Sequence, residues 1–503
     1  DPPPRLLRGI PQDPRAQWLM GDAGHAGLFG TARAVDAWAK EWYRCYHGKG
    51  LRWSDALLRK CVDFKSFDPR QRFIFGFDMV VISGADKPIQ ALWQTTPWFH
   101  GFFIMSMALW GTVLGSIFAG APTEKYGRKK VLIWLGVLFI ASAIGSAIAQ
   151  DPYTFSFFRL IGGIAIGVSS VAAPTYISEI SNKNNRGKLV GMYQFNIVFG
   201  ILVAYLSNYF LAGFGGENDW RFMLAVLLIP AAIYTIMTLG LPESPRWLLS
   251  VANDETGARK TLETIGVDNI EETIQEIKKA NAEEKSFGAA NLFSKNHIKI
   301  ISLAFFIAFF NQASGINFLL YYAPRILEEA GFAKDNSLLS SISLGMMNLV
   351  FTFVGLWLID RIGRKTLLII GSFGYIISLS MVAYGFVAHS APTFMLSFLL
   401  LFIAAHAIGQ GAVIWVFISE IFPTPIRAKG QAFGASIHWI FAALITLITP
   451  VFLDSEYGIF KENPWPIFVF FAVMMTVQLI WILVKVPETK GVSLEELQKK
   501  LVQ

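Results

Sequence analysis

The sequence predicts an all-helical membrane protein made of two six-helix halves, and three observations carry that prediction. Apolar runs of about 20 residues recur along most of the chain, each long enough to cross roughly 30 Å of hydrocarbon as a helix. Basic and acidic loops alternate between them. Loop signatures of the first half return in the second, in the same order. Composition agrees, since the 503 residues are 53% hydrophobic and 16% charged, against about a quarter charged in soluble domains. This excludes a disordered chain, and two cysteines, Cys45 and Cys61, are too few for a disulfide scaffold. The net charge of +7 invites a nucleic-acid reading, but in a chain of apolar runs a basic excess usually marks cytoplasmic loops.

Taken in order, residues 1–63 are polar, hold no run long enough to span a bilayer and show no secretory signal pattern. The apolar texture begins at Phe73. The first run, 73–85, is 13 residues, about 20 Å as a helix, and follows Lys65, Asp68, Pro69, Arg70 and Arg72. The expectation is a truncated first helix. Further spans are expected at 98–120, 131–149, 153–178, 187–212 and 220–241, closing a first bundle over 73–241. A hydrophilic segment, 245–296, carries Ile270, Ile274 and Ile277 at helical spacing and predicts short surface helices. Spans at 299–325, 338–359, 366–388, 393–419, 428–453 and 464–485 make a second bundle, 299–485, before a tail, 486–503.

Orientation follows from the loops. Lys125, Arg128, Lys129 and Lys130 follow Gly120, and Lys183, Arg186 and Lys188 follow Glu179. Arg361, Arg364 and Lys365 follow Asp360, and Arg427 and Lys429 follow Glu420. The alternate loops carry Asp151, Glu217 with Asp219, and Asp454 with Glu456. The basic set is read as cytoplasmic, which places both termini and 245–296 on that side of the cytoplasmic (inner) membrane.

The repeats are specific. Gly120 to Lys129, containing Glu124, Gly127 and Arg128, returns as Asp360-Arg361-Ile362-Gly363-Arg364-Lys365. Glu179 with Arg186 returns as Glu420 with Arg427, and Pro242-Glu243-Ser244-Pro245-Arg246 as Pro487-Glu488-Thr489. Three pairs in matching loops indicate a duplicated architecture with parallel halves. With Phe75-Gly76-Phe77-Asp78 before Ile82-Ser83-Gly84, Gln312 before Gly315-Ile316-Asn317 and Tyr321-Tyr322-Ala323-Pro324, and Pro487-Glu488-Thr489-Lys490-Gly491, the chain from about 73 to 503 resembles the sugar porter family of the major facilitator superfamily. That resemblance implies the major facilitator fold and a non-enzymatic secondary transporter that moves a hexose or pentose by alternating access, with a proton as partner and no cofactor or metal. A facilitative uniporter and an inactive hybrid are the alternatives.

Residue chemistry points the same way. Asp78 lies in an apolar run and Arg159 just inside the fourth span. An ionisable group in a span is a functional candidate, and a partner lowers its cost. A structural ion pair is the other reading. The resemblance makes Asp78 the proton-binding carboxylate and Arg159 its modulator. Amides suit sugar hydroxyls because each carries donors and an acceptor. Gln194, Asn311, Gln312, Asn317, Asn348 and Gln410 are such groups within spans, and Phe75, Tyr321, Trp415, His438 and Trp439 add rings. The resemblance implies a substrate site from these residues, although an amide inside a span also serves as interhelical glue. Asn311, Gln410 and His438 depart from the family pattern, as does Ala412 where a proline is usual. They bear on which sugar fits. Glu124, Arg128, Glu179, Arg186, Glu243, Arg246, Asp360, Arg364, Glu420 and Arg427 are expected to gate the cytoplasmic side through ties between helix ends. The run Gly162-Gly163 to Gly167 opens no helix after a strand, so it is read as a packing surface rather than a dinucleotide loop.

Residues 1–63 stand apart. Gly24-His25-Ala26-Gly27-Leu28-Phe29-Gly30 resembles the late part of β-lactamase-like serine hydrolases, but S-x-x-K is absent from this piece and no catalysis is implied. The junction reads as a hybrid in which a foreign fragment replaces half of the first span.

Overall fold

The computed structural model describes residues 70–180, 186–267, 269–286, 292–294, 297–423 and 426–492. These lie within one compact unit, residues 65–503. The fragment 1–63 with His25, the junction residues Lys65, Asp68 and Pro69, Lys183, the side chains of Arg70, Arg72, Arg186 and Lys188, and tail residues 493–503 fall outside the description.

Helices make up the fold, with no strand among the described residues. Ten helices among these are long and apolar enough to cross a membrane, and a pair bent by 45°, Pro97–Met105 with Met107–Phe118, makes an eleventh. The helix expected as the first span is not among these eleven. It runs Arg70–Trp93, 24 residues, about 36 Å at 1.5 Å per residue. The helix is thus longer than the apolar run 73–85. It continues through Asp86 and Lys87 because Asp86 is buried against His100 and Arg325 rather than exposed to lipid.

Four expected spans, the second, sixth, seventh and tenth, are broken rather than continuous. The second begins with a π-helical turn, His100–Met105, and restarts at Met107. The seventh is three helices, Ile298–Ala313, Ile316–Tyr321 and Ala323–Glu329. Gly315 at φ 85° makes the first of these breaks, and the Ser314 hydroxyl bonds the Asn311 carbonyl at 2.6 Å, absorbing a backbone group that the break releases. The tenth is Pro392–His406 and Ala412–Ile421 joined by a π-helical turn, Ala407–Gly411. The other spans are Arg128–Ile148, Pro152–Ile180, Arg186–Leu211, the sixth in two pieces (Asp219–Ala225 and Leu228–Leu239), then Lys334–Ile362, Arg364–Val387, Arg427–Leu453 and Trp465–Lys485.

Spans two and four pass at backbone contact. A Cβ on Gly163 would lie 1.9 Å from the Ala108 carbonyl oxygen, and one on Gly111 2.3 Å from that of Leu160. The glycine run is therefore a packing surface. Between the bundles, helices Glu255–Ile265 and Ile270–Ser286 form as expected, with Ile274 buried. Lys278 pairs with Glu255 at 2.7 Å, and Arg259 reaches both Glu255 and Glu271.

Candidate functional site

Asp78 and Arg159 meet in the first half. Arg159 Nη1 donates to Asp78 Oδ1 at 2.6 Å and Nη2 to the Asp78 backbone carbonyl at 3.2 Å. Their side chains are 1% and 2% exposed. Asp78 Oδ2 and Arg159 Nε have no hydrogen-bond partner, so the pair is closed but not saturated. Tyr321, on the second piece of span seven, is fully buried. Its buried hydroxyl also lacks a partner.

A polar and aromatic cluster joins the halves nearby. Gln312 Nε2 lies 3.1 Å from Asn311 Oδ1 and 3.1 Å from His438 Nε2. His438 packs on Trp415 (centroids 5.0 Å) and on Trp439 (4.6 Å). Trp439 meets Phe75 of span one edge-on at 5.5 Å. Asn317 and Tyr321, four residues apart on one short helix, share a face. Gln312 Oε1, Asn317 Nδ2, Tyr321 Oη and Trp439 Nε1 are buried without partners. Buried polar atoms are normally paired, so one acceptor and three donors beside aromatic rings suit a ligand rich in hydroxyls. Asn348 is buried on span eight and Gln194 half-buried on span five. Gln410 turns to other partners, bonding Gln478 of span twelve at 3.1 Å, which in turn bonds Ser372 of span nine at 3.0 Å.

The repeated loop motifs build two matching clusters at the basic end of the bundle. Arg128 forks onto Glu179, with Nε to Oε2 at 2.9 Å and Nη2 to Oε1 at 2.7 Å. The Ser244 hydroxyl donates to Glu179 at 2.5 Å. Glu243 Oε1 accepts from the backbone N–H of Arg128, Lys129 and Ser244 at 2.9, 3.1 and 2.9 Å. In the second half, Arg364 bonds Glu420 at 2.8 Å and the Thr489 hydroxyl bonds Glu420 at 2.5 Å. Glu488 accepts from the backbone N–H of Arg364, Lys365, Thr489 and Lys490 at 2.9 to 3.0 Å. Burial alone would raise the Glu488 carboxyl, but those four donors hold it below its ordinary value. Gly127 (φ 90°) and Gly363 (φ 100°) hold the same left-handed corner. A Cβ there would sit 2.4 Å from Glu243 Oε2 and 2.6 Å from Glu488 Oε2 respectively.

The remaining basic-end residues take separate positions. Glu124 is exposed, and its backbone carbonyl accepts from Trp247 Nε1 at 2.7 Å. Arg246 reaches Asn281 of the linker at 3.3 Å, Asp360 pairs with Arg364 at 3.4 Å, and Arg427 bonds the Phe422 carbonyl at 3.2 Å.

Sequence reasoning missed a second buried network, at the opposite end. His100 Nε2 lies 2.8 Å from Asp86 Oδ1, and its Nδ1 2.9 Å from the Thr95 hydroxyl. Arg325 reaches Asp86 Oδ2 at 3.3 Å, Gln90 at 3.1 Å and Asp454 at 3.4 Å. Gln90 also bonds Asp454 at 2.5 Å, and Lys87 pairs with Glu328. Burial would raise Asp454, but the N–H groups of Tyr457 and Glu456, with Gln90 and Arg325, hold it below its ordinary value. An arginine inside an expected span, Arg325, was the signal available.

Known proteins bear on this geometry. Residues 70–501 match the family described as sugar (and other) transporter. The chain is 33% identical over 436 residues to the D-xylose transporter of Levilactobacillus brevis, covering 85% of this chain and 93% of that one. It is 31% identical over 457 residues to the D-xylose-proton symporter of Escherichia coli K12, covering 84% and 92%. Among solved structures, it matches the partially occluded inward open conformation of the xylose transporter XylE from E. coli with a TM-score of 0.75 and 28% identity, over 87% of this chain and all of that one. Against the proton:xylose symporter XylE bound to 6-bromo-6-deoxy-D-glucose the TM-score is 0.71 at 29% identity, over 89% of this chain and all of that one. Duplicated loop clusters, a buried carboxylate–arginine pair and coverage of this extent lead to one conclusion: the chain belongs to the sugar transporter family and has the major facilitator fold.

Proposed function

We propose that this protein carries a monosaccharide, a hexose or pentose, together with a proton through the cytoplasmic membrane by alternating access. The bundles 73–241 and 299–485 are its moving halves, and both termini and the linker 245–296 lie in the cytoplasm. One observation carries the reading: a fully buried Asp78–Arg159 pair joins span one to span four at 2.6 Å. Protonating Asp78 cancels the charge that holds Arg159, so proton binding alters the contacts between span one and span four. Gln312, Asn317, Tyr321 and Trp439 offer hydrogen bonds to sugar hydroxyls, while Phe75, Trp415 and Trp439 offer ring faces to its C–H surface. His438 holds the amide of Gln312, and Gln194, Asn311, Asn348 and Gln410 complete the substrate residues of this reading.

The experiment is uptake into proteoliposomes under an imposed proton gradient, with a panel of pentoses and hexoses. Wild type is expected to accumulate at least one sugar above equilibrium. Asp78→Asn is expected to stop accumulation while sparing sugar counterflow, because an amide cannot cycle between protonated and paired states. Accumulation that persists in Asp78→Asn removes the proton role. Wild-type uptake that only equilibrates makes the protein a facilitator, and no flux of any sugar removes the transport reading.

A further inference from the structure

The network at the end opposite the basic loops has a property that the paired basic-end clusters lack: it crosses between the halves. Arg128–Glu179 ties spans three and four, and Arg364–Glu420 ties spans nine and ten, each within one half. Neither can hold one half against the other. Arg325 lies on Ala323–Glu329 of the second half and reaches Asp86 and Gln90 on the first-span helix. Gln90 crosses to Asp454, after span eleven, and Lys87 crosses to Glu328.

We propose that Asp86, Gln90 and Lys87, with Arg325, Glu328 and Asp454, form a clasp that holds the two halves shut at this end and breaks once in each transport cycle. The inference rests on the alternating-access reading, which places this end outside the cytoplasm. The chemistry fits a clasp that opens. Separating a buried ion pair normally strands both charges in a poorly solvated place, which is strongly unfavourable. Here each partner keeps a companion on its own side. Asp86 keeps His100, itself braced by Thr95. Arg325 keeps Asp454. The crossing contacts are of unequal closeness: Gln90 meets Asp454 at 2.5 Å, and Arg325 is held less tightly. Arg325 meets Asp86 at 3.3 and 3.5 Å, whereas the Arg128–Glu179 fork within one half closes at 2.7 and 2.9 Å. Charge-assisted bonds at the shorter range are the stronger. By that measure the Arg325–Asp86 crossing is weaker than the Arg128–Glu179 fork.

The test is a distance measurement on the full chain. Phe214 and Tyr457 are exposed on loops of opposite halves at this end. With Cys45 and Cys61 replaced by serine, spin labels at Phe214→Cys and Tyr457→Cys report their separation by double electron–electron resonance. Wild type is expected to favour the short distance. Arg325→Gln and Asp86→Asn are each expected to shift population to a longer one, with Arg325→Lys in between. Gel-filtration profile and thermal unfolding check that each variant is folded, and Asp86→Asn, the milder change, carries the test should Arg325→Gln fail. The same distance distribution in wild type and in the folded variants overturns the clasp. The readout needs no sugar and no proton flux, so failure of the transport reading appears in the uptake assay and failure of the clasp appears here.

Discussion

Gln312 reaches His438 across 3.1 Å, and its carbonyl oxygen is left buried without a partner. His438 fixes the amide's orientation, and the free oxygen is then an acceptor for a hydroxyl. A net hydrogen bond is worth about 0.5–1.5 kcal/mol, so Gln312→Ala is expected to weaken sugar binding roughly 10-fold in calorimetry on purified protein. Unchanged affinity would take Gln312 out of the substrate site. At this scale the sequence was legible where chemistry contradicts surroundings. Asp78 in an apolar run, and amides where lipid-facing helix is expected, stand out because burying them unpaired is costly. Ser244 and Thr489 did not stand out, because a hydroxyl at a helix end is ordinary. Only the fold shows both bonding the glutamate that an arginine already holds.

The corner at Gly363 shows how an element end is built. Its left-handed backbone lets the chain turn from span eight into span nine while four N–H groups converge on Glu488. Because those donors favour the charged form, the folded Glu488 carboxyl lies below its unfolded value. Its contribution to stability is therefore full above the ordinary carboxylate range and is lost as pH falls through the folded value. Thermal unfolding in detergent is expected to show a melting temperature that drops at acid pH in wild type and drops less steeply in Glu488→Gln. Parallel pH profiles would show that the charge is not used. The repeated Arg-Lys and Pro-Glu loops made these corners readable. The breaks in spans two, seven and ten were not readable, because hydropathy averaged along a span is blind to a π-turn or a single left-handed glycine.

Across the whole molecule, the alternation of basic and acidic loops gives the orientation test. An impermeant maleimide applied to intact cells is expected to label Tyr457→Cys and not Glu263→Cys, both exposed positions, in a Cys45→Ser, Cys61→Ser background. The reverse pattern would invert the orientation. Duplication made the large-scale plan legible, since three loop signatures recur in order, whereas the contacts between the halves follow no repeat and left only Arg325, inside an expected span, as a trace in the sequence. The two basic-end clusters also differ in one respect that their shared plan conceals. The Glu179 side chain is 6% exposed and its counterpart Glu420 is 26% exposed. Mobile ions screen a wetted pair far more than a dry one. Salt therefore acts on this symmetric scaffold unevenly. Rising ionic strength is expected to weaken Arg364–Glu420 before Arg128–Glu179.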